Sequence, residues 1–327
     1  MVHRARPEAT FELFDVNSRG QAKVEYGLTK CAVERANQTA DLIIVGGSNL
    51  YEGNYRWRWG VHLETGALEK LRVPLLLLGI GSGSNFNSAM HRPSKRAKNE
   101  IRLINDYARL SGVRDVTTLE WLHQLGVAKA QMTGDPATFI FNEPARTQHD
   151  GPILIALPPR RFWNSKLQFW TVRRRGRAMF RGLAALAKTL LAAGERVIVV
   201  CNDPADLAIG KSLFPNVLCP ETPEEYFPLL SSSRVVVSGR LHTAVAAFSL
   251  GVPFVLLNVD QRTNGFIKTY QLESWSIVPS VDRMERDLEE LTAKLMREKA
   301  SEPWTVLIER RNEIYTKGMK LLAEALT

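Results

Sequence analysis

The stretch SSSRVVVSGRLHTAVAAFSLGVPFVLLNVD, residues 231–260, decides the fold. Three serines lead into an apolar run, Arg234 to Val237, of strand length. Ser238-Gly239-Arg240-Leu241-His242-Thr243 then turns the chain into a helical pattern, Ala244 to Leu250. Gly251-Val252-Pro253 stops that helix, and a second apolar run follows from Phe254 to Leu257. Short apolar strands joined through a helix are expected in a parallel sheet covered on both faces. A helix entered directly from such a strand points its free N–H groups toward the carboxyl edge of the sheet. Ligands bind at that edge in open α/β sheets, and the helix dipole there favours anions. Gly239 allows a tight turn. Arg240 offers a fork of donors suited to phosphate or carboxylate. His242, in the same turn, can donate a hydrogen bond or move a proton near neutral pH. The alternative is structural: Arg240 and His242 cap the helix or pair with a core carboxylate.

The same rhythm runs outward from this segment. Apolar runs predict strands at residues 11–16, 42–45, 75–80, 153–157, 197–200, 235–237 and 254–257. Met179, Phe180, Leu183, Leu186, Leu190 and Leu191 recur at helical spacing, with Gly194 as a stop. Two long helical patterns, residues 283–299 and 303–325, close the chain. The rhythm breaks in the polar segment from Asn142 to Gly151, which carries Pro144 and Gly151 and reads as a linker. The expected fold class is α/β in two domains, 1–150 and 151–327. The C-terminal helices are free to pack back on the first domain.

Composition narrows the function. At 327 residues the chain suits two ordinary domains, and its 45% hydrophobic content is that of a globular protein. No stretch reaches the roughly 18 apolar residues of a membrane span. The N-terminus is basic without an apolar core behind it, unlike a secretory signal. Cys31, Cys201 and Cys219 are widely spaced and make neither a disulfide framework nor a metal knuckle. A cytoplasmic setting is therefore expected, with no metal site. The formal charge of +9 favours an anionic partner: a phosphorylated metabolite, a nucleotide, a lipid phosphate or nucleic acid. No nucleic-acid motif is present, so no nucleic-acid partner is expected. A peripheral contact with an anionic membrane suits the charge, as does a merely soluble basic surface.

Other constellations leave alternatives open. Gly79-Ile80-Gly81-Ser82-Gly83-Ser84 follows a strand, but Ser84 breaks the dinucleotide fingerprint and a loop follows. Asp135, before Pro136, is either a base for an acceptor hydroxyl or a turn cap. Arg114 and Asp115 form a structural ion pair or touch substrate. Arg160 and Arg161 open the first β–α junction of the second domain; one of them takes a donor carboxylate or phosphate, or both are solvated. Tyr51, Tyr55, Trp57 and Trp59 interleave with Arg56 and Arg58, as sugar-stacking rings or as core.

These segments together resemble the polysaccharide pyruvyl transferase family. Ser238-Gly239-Arg240-Leu241-His242-Thr243 with Gly251-Val252-Pro253 is similar to its C-terminal signature. Leu42 to Ser48 resembles its apolar strand with a glycine run, Ser48 standing for the third glycine. Leu78 to Gly83, Val113-Arg114-Asp115, Leu122 to Gly126 and Gly134-Asp135-Pro136-Ala137 follow in family order. Asp260-Gln261-Arg262 and Gly265-Phe266 resemble its Asp-x-Lys … Gly-Phe end, with Arg for Lys. The family's opening Gly-Asn-x-Gly-Asp turn is missing. The resemblance implies two Rossmann-like domains facing across a cleft, similar to the B-type glycosyltransferase fold. It implies phosphoenolpyruvate as co-substrate, no cofactor, and a sugar or glycan acceptor, lipid-linked in one version. On this reading Ser238, Gly239, Arg240, Leu241, Arg160, Arg161 and Arg262 hold the donor, and His242 and Asp135 are catalytic. Gly46, Gly47, Ser48, Gly81 and Arg114 lie on the acceptor side. The rivals are a nucleotide-sugar-dependent glycosyltransferase of the same fold and a non-catalytic phosphometabolite-binding protein. Ala244-Val245-Ala246-Ala247 offers no carboxylate for a ribose, which counts against the first.

Overall fold

A computed structural model of the chain describes residues 1–13, 27–51, 60–83, 93–140, 150–163, 170–297 and 302–327. The chain divides into two compact units. The first comprises Met1–Pro136, Asp260–Thr269 and Arg311–Thr327; the second comprises Ala137–Val259 and Tyr270–Arg310. In chain order the helices are α1 (Val2–Ala5), α2 (Lys30–Thr39), α3 (Lys95–Tyr107), α4 (Val116–Gln124), α5 (Arg160–Trp163) and α6 (Trp170–Ala192). They continue with α7 (Leu207–Leu213), α8 (Pro223–Ser231), α9 (Leu241–Leu250), α10 (Gln261–Tyr270), α11 (Met284–Arg297) and α12 (Glu302–Leu326).

The first unit is built on four parallel strands in the order β1 (Ile43–Gly46), β2 (Leu75–Ile80), β3 (Leu110–Val113) and β4 (Gln131–Met132). Every residue of β2 is buried, as a central strand covered on both faces requires. Leu75 and Leu77 join one core with Ile101, Ile104 and Leu122. Leu76 and Leu78 join a second core with Leu110 and with Leu322 and Ala325 of α12. Strict alternation would place residue 79, not Ile80, on the first face, yet Ile80 is there. The cause is a register shift between Leu77 and Ile80, centred on Gly79 with φ of 64°. This bulge returns an apolar side chain to the core just before the strand ends.

The second unit carries five parallel strands, β5 (Ile153–Ala156), β6 (Val197–Val200), β7 (Val235–Ser238), β8 (Phe254–Leu257) and β9 (Ser276–Ile277). Their order across the sheet is β6-β5-β7-β8-β9. Ile155 of β5 pairs with Val199 on one side and Val237 on the other. α6 packs on α11 through Gly182, where a Cβ would stand 2.8 Å from Met284 Cγ. α9 is buried along its length except at His242, which explains its uniformly apolar sequence. Among the described residues, no helix is long and apolar enough to cross a membrane.

The structure places the strands expected from residues 42–45, 75–80, 153–157, 197–200, 235–237 and 254–257 to within a residue at each end. It corrects the strand expected at residues 11–16. Phe11 to Leu13 forms no strand, and Leu13 is 90% exposed, so its apolar run has no sheet to join; residues 14–16 lie outside the described residues. Of the aromatic cluster, Tyr51 is buried in the first unit's core; Tyr55, Trp57 and Trp59, with residues 142–149 of the expected linker, also lie outside the described residues.

Gly79 combines a left-handed φ with close packing, since a Cβ there would meet the Pro136 ring. Gly79→Ala should lower stability by about 2–4 kcal/mol. Calorimetric unfolding checks this, and an unchanged midpoint would contradict it.

Candidate functional site

In the second unit the strand order reverses between β5 and β7, the topological switch point where open α/β sheets bind ligands. Three β–α junctions meet at that edge. Gly239, after β7, donates its N–H to Ala156 O at 2.9 Å. A Cβ on Gly239 would stand 2.6 Å from Pro158 Cγ, so glycine is what lets the β5 and β7 junctions touch. Ser238 Oγ accepts from Arg240 N at 3.0 Å and donates to Arg240 O at 2.7 Å, which fixes the turn.

The third junction supplies a residue that the sequence reading missed. Asp206, after β6, is 2% exposed. Its Oδ1 accepts from Arg160 N at 2.7 Å, and its Oδ2 pairs with Arg240 Nη2. Arg240 Nε donates to Leu157 O at 3.1 Å. One buried carboxylate therefore ties the β5 and β7 junctions together and aims the guanidinium. The Arg240 side chain keeps 21% of its surface exposed, so it can still reach a ligand. Asp206 shows no motif of its own. Only the strand order, which brings the β6 junction beside the other two, reveals it.

α9 begins beyond Arg240 with no side-chain cap, leaving its positive end at this edge. Leu241 is buried at its first position, and His242 is exposed in its first turn. Thr243 Oγ1 lies 2.6 Å from Tyr226 Oη, a partner contributed by α8. Burial pushes the Tyr226 phenol above its ordinary value, against hydrogen bonds from Thr243 and Asn202 and the charge of Arg240. Tyr226 is thus a neutral hydroxyl beside the guanidinium. Burial, then Cys219 and Asp206, push the Cys201 thiol up to about 12. A thiol held protonated is a poor nucleophile. The junction as a whole offers a guanidinium, an imidazole and an uncapped helix end, a set suited to an anion. Arg160 lies at the junction, exposed, while the Arg161 side chain falls outside what is described.

The first unit gathers its own candidates at the carboxyl edge of its sheet. Gly46 ends β1, and Gly47 and Ser48 follow with φ of 66° and 55°. The left-handed backbone at Ser48 is the conformation glycine adopts at no steric cost, which accounts for a glycine run at this turn. Gly81 N donates to Ser48 O at 2.9 Å. The Arg114 guanidinium lies against Gly81, where any Cβ would overlap it. Arg114 is 4% exposed and donates to Asp115 Oδ2 at 3.3 Å and Asn49 Oδ1 at 3.2 Å. Asp115 in turn caps α4, accepting from Thr118 N and Oγ1 at 2.8 Å each. Burial pushes its carboxyl above the ordinary range, against the Arg114 charge and these donors. Arg114 and Asp115 therefore shape the turn rather than present charge to solvent. Asp135 is buried at the end of β4, on the same edge.

Arg262 belongs to the first unit and not to the one holding Arg240. Asp260 accepts from Arg262 N and Thr263 N at 3.0 and 3.1 Å at the start of α10. The Arg262 side chain folds back on the same carboxylate, with Nη2 2.6 Å from Oδ2.

A family model described as polysaccharide pyruvyl transferase matches residues 2–261, which include Arg160, Asp206, Arg240 and His242. No curated protein matches the sequence. A crystal structure of UDP-GlcNAc 2-epimerase from Methanocaldococcus jannaschii is similar at 12% identity and a TM-score of 0.50, over 83% of this chain and 74% of that one. A TarM variant from S. aureus, crystallised with fondaparinux, alpha-GlcNAc-glycerol and UDP, is similar at 15% identity and a TM-score of 0.50. That match covers 76% of this chain but half of TarM. At such identities the likeness concerns the fold, two Rossmann-like domains.

Two outcomes follow from the site. Asp206→Ala should cost about 1–3 kcal/mol in urea unfolding, because the Arg160 amide and Arg240 lose their acceptor. Solvent at Arg240 keeps the loss below that of a fully buried pair; an unchanged midpoint would show that the carboxylate ties nothing. The raised Cys201 thiol contributes stability that is fully present below the ordinary thiol value and is lost progressively from there as pH rises to about 12. At pH near 8 a maleimide should therefore label exposed Cys31 and spare Cys201, as read by peptide mapping. Rapid labelling of Cys201 in folded protein would contradict this.

Proposed function

We propose, from the premise that the chain belongs to the polysaccharide pyruvyl transferase family, that it moves a pyruvyl group from phosphoenolpyruvate to a glycan. Family membership makes the protein a transferase of polysaccharide synthesis. The observation carrying the finer reading is the Arg240 guanidinium, fixed at the switch point by buried Asp206 beside an uncapped helix. A small dianionic phosphate with a carboxylate suits that set better than a neutral sugar does.

Ketal formation needs two bonds from one carbon to the acceptor. The methylene carbon of the donor takes a proton, which makes the adjacent carbon electrophilic. An acceptor hydroxyl attacks that carbon and gives up its proton. The C–O bond to phosphate breaks with its electron pair, and a second hydroxyl of the acceptor closes the ring. The products are inorganic phosphate and a pyruvate ketal carrying a methyl group; of the two protons released from the hydroxyls, one balances that taken up at carbon and the other leaves on the phosphate. Arg240, with Arg160 or Arg161, holds the anionic donor through charge-assisted contacts. His242 donates the proton or stabilises the departing phosphate. Asp135, in the first unit, is the candidate base for the acceptor, and the turn built from Gly46, Gly47, Ser48 and Gly81 lies on the acceptor side. The reaction calls on no cofactor beyond its co-substrate. An acceptor carried on a lipid would bring the enzyme to the cytoplasmic face of a membrane, which suits its basic surplus.

The test is to supply isotopically labelled phosphoenolpyruvate with acceptor glycans and follow ketal formation by NMR, with UDP-sugars as the competing donors. Transfer from a UDP-sugar without ketal would overturn the reading. Arg240→Ala should weaken donor binding by about 1.5–3 kcal/mol for a lost charge-assisted contact. His242→Ala should lower turnover more than binding. Full activity in both variants would leave Arg240 a structural partner of Asp206 and remove this segment from the donor site.

A further inference from the structure

The net charge of the protein is confined to one stretch. Between Gly151 and Gly194 stand nine cations, Arg160, Arg161, Lys166, Arg173, Arg174, Arg175, Arg177, Arg181 and Lys188, and no acidic residue. Since the whole chain has 43 cations and 34 acids, the remainder is balanced at thirty-four of each.

α6 arranges much of this surplus on one face. Arg174, Arg177, Arg181 and Lys188 follow one another at spacings of three, four and seven residues, a single stripe about 21 Å long at 1.5 Å per residue. Arg174, Arg181 and Lys188 are exposed. Half-buried Ala184 and Ala185 lie between the last two, so no large side chain stands proud of the stripe. Arg177 stacks on the Trp163 ring, 5.7 Å from its centroid, and that ring packs edge-on against Phe180 at 5.4 Å. Among the described residues the buried Nε atoms of Arg173 and Arg177 have no hydrogen-bond acceptor. No ion pair to a carboxylate involves Arg175, Arg177, Arg181 or Lys188 among the described residues. The fold thus anchors Arg177 on Trp163 with no opposing carboxylate among the described residues.

We propose that the exposed face of α6 docks the protein on an anionic lipid bilayer. A straight, flat cationic stripe matches a planar negative surface, and each added cation strengthens such attachment. A nucleic-acid groove pairs its cations with exposed stacking rings; here Phe162 is buried and Trp163 packs edge-on against Phe180, so the stripe offers charge without a stacking platform. None of the stripe residues belongs to the Arg240 junction, so this attachment is independent of the donor chemistry.

The experiment is vesicle flotation of the full chain with phosphatidylcholine alone and with phosphatidylcholine containing phosphatidylglycerol. Binding is expected only to the anionic vesicles and should fall at high salt. The variant Arg174→Gln/Arg181→Gln/Lys188→Gln should bind them on the order of 100-fold more weakly, at about tenfold per 1.4 kcal/mol and one such step or less per cation. Lys211→Gln/Lys317→Gln/Lys320→Gln removes the same charge elsewhere and should retain most of the binding. Phosphoenolpyruvate binding, measured in parallel, should be unchanged in both and reports separately on folding and on the donor site. Equal vesicle binding by wild type and the α6 variant, or none by wild type, would overturn the proposal. Tighter capture of a single-stranded RNA through the same residues would also overturn it and make nucleic acid the partner.

Discussion

The pairing of Asp206 with Arg240 is the constraint on which the second unit's site depends. A guanidinium at the end of a strand would otherwise sample many rotamers, and its charge would be spread through solvent. Asp206, almost fully buried, accepts from the Arg160 amide and from Arg240 at once, so it joins two junctions that lie 80 residues apart in sequence. Leu157 O holds the Nε edge. Gly239 allows the approach because no Cβ intrudes on Pro158. The result is a pre-aimed donor fork with part of its surface still open, a geometry that lowers the ordering cost of binding an anion.

The first unit uses the same materials for another end. Arg114 and Asp115 also pair at the carboxyl edge of a parallel sheet, but both are buried. Their hydrogen bonds run to Asn49 and Thr118, and the guanidinium lies flat on Gly81. That pair builds the wall of a turn, whereas the Arg240 pair leaves part of its guanidinium open to solvent. The difference lies in exposure rather than residue type, and exposure is set by which elements cover the edge.

Much of the fold was legible because parallel strands buried on both faces write themselves as continuous apolar runs. Residues 75–80, 197–200 and 254–257 read as strands at the bounds the structure gives. β3 and β9 were missed for opposite reasons. Leu110-Ser111-Gly112-Val113 is half polar and contains glycine, because Gly112 must let Thr133 and Leu77 O approach. Ser276–Ile277 is too short to show any period. At the site, Arg240 and His242 stood out through their strand–turn–helix context. Asp206 and Tyr226 did not, since their relevance comes from strand order and helix packing rather than from neighbours in sequence. Arg262, read as a donor ligand by motif, lies in the first unit, where its side chain pairs with Asp260 and keeps the same 21% exposure as Arg240.

Chemical protection at Arg240 tests the central claim most directly. Phenylglyoxal modifies accessible guanidinium groups, and peptide mapping reads the extent at each arginine. If the donor sits on the Asp206-anchored fork, phosphoenolpyruvate should protect Arg240 selectively, leaving Arg175 and Arg181 on α6 modified as before, and a UDP-sugar should protect it far less. Modification of Arg240 that is indifferent to phosphoenolpyruvate, or that is blocked equally by the UDP-sugar, would contradict the assignment of this junction to the donor.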